Sequence, residues 1–206
     1  MREVLPLFAI PVYETVLNPI SQEIKDYIIN LPYERMHVGN GWYSEEKYVL
    51  ENPECEPLKK LVMEELEYFI RDTLHVRKGI DFHMTNSWAV KHEKGDWGQM
   101  HAHTNSLLSG VFYLQTNEDS GKIRFHKEIN YNNLFPISTD LEYDSYNIFN
   151  SRVWTFKPKN DLLLFFPSNL MHSITDNESE EDRFSLAFNF FPKGKLGAKE
   201  FQLELR

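Results

Sequence analysis

The sequence is poor in cysteine and in basic residues and has no long hydrophobic run. Cys55 is the one cysteine among 206 residues, which excludes an internal disulfide framework and a cysteine-based zinc site. Lys and Arg number 22 against 31 Asp and Glu, which argues against nonspecific binding to nucleic acid or anionic membranes. No segment approaches the roughly 20 apolar residues that span a bilayer, and the N-terminus lacks signal-peptide features. We therefore expect a cytoplasmic protein with neither a membrane nor nucleic acid as its partner.

Aromatic residues, by contrast, make up 14% of the chain, which is more than a helical bundle needs and suits a β-rich core. After residue 79, short runs rich in β-branched and aromatic residues alternate with turn residues. Seven or eight such runs predict an antiparallel sandwich or barrel. The clearest of them are 82–91, 98–104, 107–116, 121–127, 152–157, 161–167 and 183–192.

The first 79 residues have a different pattern. Apolar residues at three- and four-residue steps predict a helix over 56–75, and a shorter helix is expected over 20–31. No linker divides the chain, so we predict one domain, residues 1–206. In it, residues 1–79 form a strand and helical region that packs outside a β core of residues 80–195. The class is mainly β (α+β).

The last predicted strand has two chemically different faces. One face is apolar: Phe184, Leu186, Phe188 and Phe190. The other carries Arg183, Ser185, Ala187 and Asn189. Either the second face meets solvent, or it lines a polar cavity while the apolar face packs under the helices.

Histidines supply candidate metal ligands. His101 and His103 are two residues apart, so on an extended strand they point the same way and can share one ion. His172 follows a buried-strand pattern and is the third candidate, because two close histidines and one distant one leave coordination positions open for substrate. The other five are interpreted as surface or hydrogen-bonded core residues: His37, His75, His83, His92 and His126.

A candidate anion site accompanies these histidines. The guanidinium of Arg183 offers a two-pronged hydrogen-bond donor to a carboxylate. Ser185 on the same strand face, and Tyr113 from a neighbouring predicted strand, could complete the cradle. One cavity would then hold both a metal ion and an anchor for an organic acid.

Two stretches of the chain resemble the iron(II)- and 2-oxoglutarate-dependent oxygenases, and most closely a subgroup found in bacteria and their phages. The first is His101-Ala-His103 followed by Ser109-Gly-Val-Phe-Tyr113-Leu. The second is Asp161-Leu-Leu-Leu-Phe-Phe-Pro-Ser-Asn-Leu-Met-His172 followed by Arg183-Phe-Ser-Leu-Ala-Phe-Asn189. The opening segment, Leu7-Phe-Ala-Ile-Pro-Val-Tyr13, is also similar, so the resemblance covers nearly the whole chain.

This resemblance implies a double-stranded β-helix, or jelly-roll, that uses Fe(II), 2-oxoglutarate and O2. It implies hydroxylation of an unidentified small-molecule or peptide substrate, with succinate and CO2 as co-products. The iron ligands would be His101, His103 and His172, and Arg183 would bind the distal carboxylate of 2-oxoglutarate with help from Ser185 and Tyr113. Asn86 and Asn189 would line the substrate pocket, and the long insert 128–151 would act as a lid.

The motif departs from most of the superfamily at His103, where a carboxylate is usual. Three neutral imidazoles would leave the site one unit more positive than two imidazoles and a carboxylate. Either His103 is a ligand, or Asn105, Asp96 or Glu93 replaces it, or the site is degenerate. In a further arrangement His103 and Asn105 form the near pair and His101 only supports it.

Two other functions are consistent with the same residues. A three-histidine cupin-type dioxygenase would use no 2-oxoglutarate and would anchor its substrate on Arg183. A jelly-roll binding module would have no catalytic role, since one fold hosts many functions. Phe191 or Phe201 would mark a homodimer surface if exposed, or core if buried.

Overall fold

The protein is described by a computed structural model over residues 2–37, 40–127 and 141–205. In these ranges two antiparallel sheets pack together, and two helices cover the outer face of the larger sheet. No helix in the described ranges combines the length and the apolar character needed to cross a membrane. The mainly β jelly-roll class predicted from the sequence is confirmed, with the helices outside as expected.

Twelve strands and two α-helices are formed within the described ranges. The strands are β1 (Tyr13–Val16), β2 (Tyr33–Arg35), β3 (Trp42–Ser44), β4 (Ile80–His92), β5 (Gly98–His101), β6 (Leu108–Gln115), β7 (Ile123–His126), β8 (Val153–Phe156), β9 (Leu162–Pro167), β10 (His172–Ile174), β11 (Arg183–Leu196) and β12 (Leu203–Leu205). The helices are α1 (Gln22–Ile29) and α2 (Glu56–Tyr68), and α2 continues into a wider π-helical turn, Phe69–Thr73. Single 3-10 turns cover Val49–Glu51, Pro53–Cys55 and Lys199–Phe201.

The larger sheet has the order β1-β9-β6-β11-β4-β3-β2, with β12 paired to β11. The smaller sheet has the order β5-β10-β7-β8. Consecutive strands such as β5 and β6, or β9 and β10, lie in different sheets, so the chain crosses repeatedly between the two layers. These crossings place the ends of β5, β6, β9 and β10 next to the space between the sheets.

Both helices are amphipathic and bury one face on the larger sheet. Ser21 caps the start of α1 by accepting a hydrogen bond from the amide of Ile24. Pro57 lies in the first turn of α2, where its missing N–H costs nothing. The buried helix residues are Ile24, Ile28, Leu58, Val62 and Leu66. These residues pack in one core cluster with the apolar face of β11. The apolar face therefore lies under the helices, as in the interpretation that places the Arg183 face toward a cavity.

Gly110 of β6 shows how tightly this layer is packed. A Cβ atom at this position would lie 2.8 Å from Phe165 Cδ1 and would also collide with the ring of Phe188. Real Cβ contacts are not this short, so the rings of β9 and β11 close over the β6 backbone only because residue 110 has no side chain.

A second apolar cluster joins the inner faces of the two sheets. Its buried members are Val111, Tyr113, Ile123, Phe125, Leu162, Leu164 and Phe166. Because these residues come from β6, β7 and β9, the cluster holds the smaller sheet at a fixed distance from the larger one. The inner face of β11, from Arg183 to Asn189, is thereby kept away from bulk water.

The short strands are where sequence and structure differ most. β2, β3, β10 and β12 have three residues each, too few for an alternating pattern to stand out. Predicted helix 20–31 is shorter at both ends, and predicted strand 98–104 ends at His101. Of the insert 128–151, residues 128–140 lie outside the described ranges, and residues 141–151 contain bends and turns.

Candidate metal and carboxylate site

Three histidines meet between the two sheets. His101 is the last residue of β5 and His172 the first of β10, and the two are direct cross-strand partners. One ring nitrogen from each of His101, His103 and His172 lies within 4.8 Å of the others. Their ring centroids are 4.3 to 5.3 Å apart. This spacing suits a single ion held by three imidazoles.

His103 reaches the group differently from the prediction. Strand β5 ends at His101, so His103 lies in the loop that follows and not on an extended strand. Its amide donates to the carbonyl oxygen of Ser168, 2.8 Å away, and Asn105 turns the chain with φ +55°. The loop is thus tied to the chain that connects β9 to β10. The expected convergence occurs, but loop geometry and not strand alternation brings it about.

Hydrogen bonds fix the tautomer of each ring. Nδ1 of His101 donates to the Gln99 carbonyl at 2.7 Å, and Nδ1 of His172 donates to the Leu170 carbonyl at 2.9 Å. Nδ1 of His103 donates to Asn189 Oδ1 at 2.5 Å. Since carbonyl and amide oxygens only accept, each Nδ1 carries a proton, and Nε2 is the nitrogen that a neutral ring offers to a metal. A histidine that binds a metal through one nitrogen commonly donates from the other in this way.

Asn189 and its neighbours form a polar chain behind His103. Ser109 Oγ donates to Asn189 Oδ1 at 2.7 Å and lies 2.8 Å from Ser168 Oγ. Asn189 Nδ2 donates to Asn86 Oδ1 at 2.9 Å, which sets the orientation of the amide and turns its oxygen to His103. Asn86, Asn189 and Ser109 are directly paired across β4, β11 and β6, so the sheet register aligns this chain.

The sequence predicted Asn86 and Asn189 as residues lining a substrate pocket. The two amides are paired with each other, and Asn189 Oδ1 also accepts hydrogen bonds from Ser109 and from the His103 ring. These contacts support a candidate metal ligand, and the substrate-lining role stays a prediction.

Burial affects the proton affinity of the rings. Burial lowers the pKa of His172 to about 3, and the neighbouring His101 acts in the same direction. Burial also lowers the pKa of His103, while its hydrogen bond to Asn189 opposes the shift. His172 and His103 are therefore neutral near pH 7, the state in which an imidazole can bind a metal.

Aromatic rings enclose the His172 side of the triad, and the His101 side is open. The rings of Phe166 and Phe125 lie 5.0 and 6.0 Å from the His172 ring. Trp88 of β4 lies 5.8 Å from His103, and His101 is exposed. A substrate would therefore approach the triad from the His101 side.

Arg183 occupies a second part of the same inner surface. Its side chain is 1% exposed, and no Asp or Glu of the described ranges forms an ion pair with it. Nη1 donates to Nδ1 of His92 at 2.8 Å, but Nε is buried with no hydrogen-bond partner. Burial lowers the pKa of Arg183, and Tyr113 opposes the shift. An arginine this deeply buried without a carboxylate is unusual and suits a missing anionic ligand.

Tyr113 and Ser185 lie beside Arg183. They are direct cross-strand partners on β6 and β11, and both are buried. The guanidinium carbon is 5.1 Å from the centre of the Tyr113 ring, yet the phenol hydroxyl is buried without a hydrogen-bond partner of good geometry. Burial raises the pKa of Tyr113, so this hydroxyl remains a donor at neutral pH. The structure brings Tyr113 next to Arg183, and the role of these residues as a carboxylate cradle stays a prediction.

The alternative ligands lie in other interactions. Asp96 is buried and accepts two hydrogen bonds from Arg35, at 2.8 and 3.1 Å. Glu93 pairs with Lys91 at 2.8 Å. In the described parts of the chain, the group of His, Cys, Asp and Glu that could hold a metal contains only the three histidines.

Four residues of this surface have no site role predicted from the sequence: Ser109, Ser168, Trp88 and His92. His92 had been interpreted as a surface or hydrogen-bonded core histidine, and it is indeed buried. Its contact with Arg183 joins residues 91 positions apart, which no local pattern indicates. Only the register of β4 and β11, with His92 directly opposite Arg183, brings the two together.

A family model described as "Putative 2OG-Fe(II) oxygenase" matches residues 86–189, about half of the chain. The matched segment includes the three histidines of the triad and Arg183. No curated protein matches the chain.

Solved structures share the fold at low sequence identity. A prolyl-4-hydroxylase from Pseudomonas putida is 14% identical with a TM-score of 0.58, over 91% of this chain and 96% of that one. HygX from Streptomyces hygroscopicus, solved with nickel and 2-oxoglutarate bound, is 13% identical with a TM-score of 0.57, over 88% and 82% of the two chains. The carbocyclase SnoK from nogalamycin biosynthesis is 10% identical with a TM-score of 0.59, over 93% and 84%. At these identities the likeness shows the fold.

Proposed function

The chain belongs to the 2OG-Fe(II) oxygenase family, and from that premise we propose that it hydroxylates a small-molecule or peptide substrate. In the proposed reaction, 2-oxoglutarate, O2 and a substrate C–H group give succinate, CO2 and the corresponding alcohol. One oxygen atom of O2 enters succinate and the other enters the product. The iron and 2-oxoglutarate predicted from the sequence are the cofactors for which the family is named.

The proposal rests on two groups of residues on the inner surface of the sheets, one suited to bind a metal ion and the other suited to bind an acid. Three imidazoles offer ring nitrogens within 4.8 Å of one another, and a buried guanidinium has no carboxylate partner in the described ranges. A metal ion would complete the first site and an organic acid the second. An iron cofactor with a dicarboxylate co-substrate meets both needs.

The residues of the triad fit Fe(II). Imidazole nitrogen is a common ligand of Fe(II), and three ligands leave further positions for the co-substrate and O2. His101, His103 and His172 would hold the ion, and iron bound there would supply the redox chemistry that activates O2. The hydrogen bonds from Nδ1 to Gln99, Asn189 and Leu170 keep the three rings in the orientation needed for binding.

Arg183, with Tyr113 and Ser185, would bind the distal carboxylate of 2-oxoglutarate. Charge-assisted hydrogen bonds from a guanidinium to a carboxylate are strong, and burial excludes the water that would compete for them. Since the triad contributes no negative charge, the anionic co-substrate also supplies the charge that a carboxylate ligand provides in most of the superfamily. Phe125 and Phe166 exclude water from the His172 side.

The direct test is succinate formation from 2-oxoglutarate under air with Fe(II), measured for the wild type and for Arg183→Gln. We expect the wild type to consume 2-oxoglutarate slowly even without its substrate, and the variant to need a much higher concentration. A protein that binds Fe(II) but neither binds nor consumes 2-oxoglutarate would instead fit a three-histidine dioxygenase. Absence of metal binding would favour a non-catalytic module.

A further inference from the structure

The buried Arg183 guanidinium donates a hydrogen bond to the ring of His92. The bond runs from Arg183 Nη1 to His92 Nδ1 at 2.8 Å. Arginine has no acceptor, so Nδ1 of His92 must be the unprotonated nitrogen of its ring. The interaction is therefore between a cation and a neutral acceptor, deep in the protein, where both side chains are at most 2% exposed.

The His92 ring is clamped on its other side. A Cβ atom at Gly41 would lie 2.9 Å from His92 Cδ2 and 3.0 Å from Nε2, and the φ of +128° at Gly41 is one that side-chain-bearing residues avoid. The carbonyl of His92 is also held, by a hydrogen bond of 3.0 Å from Asn177 Nδ2. The ring is thus wedged between the Gly41 backbone and Arg183, and it cannot move away from the guanidinium without disturbing both.

A second arginine, Arg35, is held by a carboxylate and not by a neutral imidazole. Arg35 forms a two-pronged ion pair with the buried carboxylate of Asp96, at 2.8 and 3.1 Å. The carboxylate of Asp96 matches the charge of that arginine and uses two of its donors. Arg183 is fixed by a neutral ring, so its charge and its Nε donor stay free. Arg35 thus forms a structural ion pair, whereas Arg183 keeps a charge that can bind an acid.

We infer that His92 is a positioning residue which orients the Arg183 guanidinium for the distal carboxylate of 2-oxoglutarate without neutralising its charge. This inference rests on the proposed function. A carboxylate at position 92 would hold the guanidinium equally well but would compete with the co-substrate for it. An apolar residue of similar size would leave the guanidinium charged but unaligned.

The test compares His92→Asn, His92→Asp and His92→Phe. Asparagine and aspartate place an oxygen near the position of Nδ1 and differ from each other only in charge. The measurement is calorimetric titration of each protein, loaded with Mn(II), with 2-oxoglutarate. The second titrant is 2-oxobutyrate, which has the same keto acid end but no distal carboxylate.

For 2-oxoglutarate we expect His92→Asn to bind within about 3-fold of the wild type, and His92→Phe about 10-fold more weakly. We expect His92→Asp to bind on the order of 100-fold more weakly, because its carboxylate is already paired with Arg183. Binding of 2-oxobutyrate is expected to change little in all three variants. His92→Asp should melt at or above the temperature of His92→Asn, since it gains a buried ion pair, so its weak binding would not reflect unfolding.

Three results would overturn the inference in different ways. If the wild type binds 2-oxoglutarate and His92→Asp binds it equally well, the neutral partner is irrelevant and the proposed function stands without it. If the wild type binds 2-oxoglutarate no more tightly than 2-oxobutyrate, Arg183 does not bind the distal carboxylate. Both the inference and this part of the proposed function then fail. If His92→Asn loses as much affinity as His92→Asp, then packing of the ring and not its neutrality is what matters.

Discussion

The surroundings of the histidine triad and those of Arg183, the two ends of the proposed site, are completed by the protein to different degrees. At the triad, each Nδ1 has an oxygen acceptor, and each ring has a fixed orientation before any ion arrives. At Arg183, the Nε atom and the hydroxyl of Tyr113 are buried and have no hydrogen-bond partner of good geometry. Leaving such groups unsatisfied is costly, about 1–3 kcal/mol for each neutral group and more for a charged one.

The two ends also differ in access. His101 is exposed, whereas Arg183 and Tyr113 are fully enclosed. The histidine triad is thus open to solvent on the His101 side, whereas the guanidinium of Arg183 is closed off from it. We therefore expect the two ends to respond separately to mutation. Changes at the triad should alter the affinity for metal, and changes at Arg183 should alter only the affinity for 2-oxoglutarate.

The largest expected effect is at the triad. His172→Ala removes a buried ligand that no neighbouring carboxylate of the described ranges can replace, so Co(II) should bind on the order of 1,000-fold more weakly. The measurement is a Co(II) titration followed by visible absorption. His75→Asn is a matched control, because His75 is exposed and its φ of +51° is tolerated by asparagine. Equal Co(II) affinity in wild type and His172→Ala would show that the metal lies elsewhere.

The next effect separates the two ends. Arg183→Gln should weaken 2-oxoglutarate binding by about 100-fold, because the carboxylate loses its buried cation, while Co(II) affinity changes by less than about 3-fold. Calorimetry with each titrant measures the two affinities on the same protein. Arg124→Gln, at an exposed position on β7, should change neither. A loss of both affinities in Arg183→Gln would mean that the ends are coupled.

A smaller effect should follow from the support of His103. Asn189→Leu keeps the size of the side chain but removes the acceptor of the His103 Nδ1 proton, so metal affinity should fall by about 10-fold. Asn86→Ala, one step further along the chain of hydrogen bonds, should cost less. The comparison uses the same Co(II) titration. An Asn189→Leu protein with wild-type metal affinity would show that Ser109 alone can orient the ring.

The smallest effect is on stability at acid pH. Burial, with the nearby charges of Arg183 and Arg35, lowers the pKa of His92 to about 3, whereas histidine in an unfolded chain titrates near 6.5. Between these values the unfolded state binds one more proton than the folded state, so stability falls as the pH is lowered. Each such histidine contributes a slope of up to about 1.4 kcal/mol per pH unit. Urea unfolding of the metal-free protein from pH 7 to 4 should therefore show a shallower decline for His92→Asn than for the wild type. Parallel curves would mean that His92 titrates normally.

Several parts of this picture follow from the sequence. The alternation of Phe184, Leu186, Phe188 and Phe190 correctly predicts which face of β11 lies under the helices, because a long strand repeats its pattern often enough to be recognised. The spacing of the α2 residues likewise predicts a helix within a few positions of its ends. The three histidines and Arg183 are identified chiefly from the resemblance of two motifs to the oxygenases, and the structure brings the three histidines together.

The remaining features depend on distant contacts. The orientation of His103 comes from its bonds to Asn189 and Ser168, which lie 86 and 65 positions away in the chain. The partner of Arg183 depends on the register between β4 and β11, which residues along either strand do not specify by themselves. Strand β10 has three residues and is a strand only because β5 and β7 flank it. Such features are properties of the assembled sheets.

The most direct measurement is a crystal structure of the protein grown with Co(II) and 2-oxoglutarate without a reductant. Anomalous scattering at the cobalt edge should give one peak, in contact with His101, His103 and His172. The density of the diacid should run from that peak to Arg183 and Tyr113. A cobalt peak without His172 among its ligands, or a diacid whose far carboxylate does not reach Arg183, would contradict the arrangement proposed here.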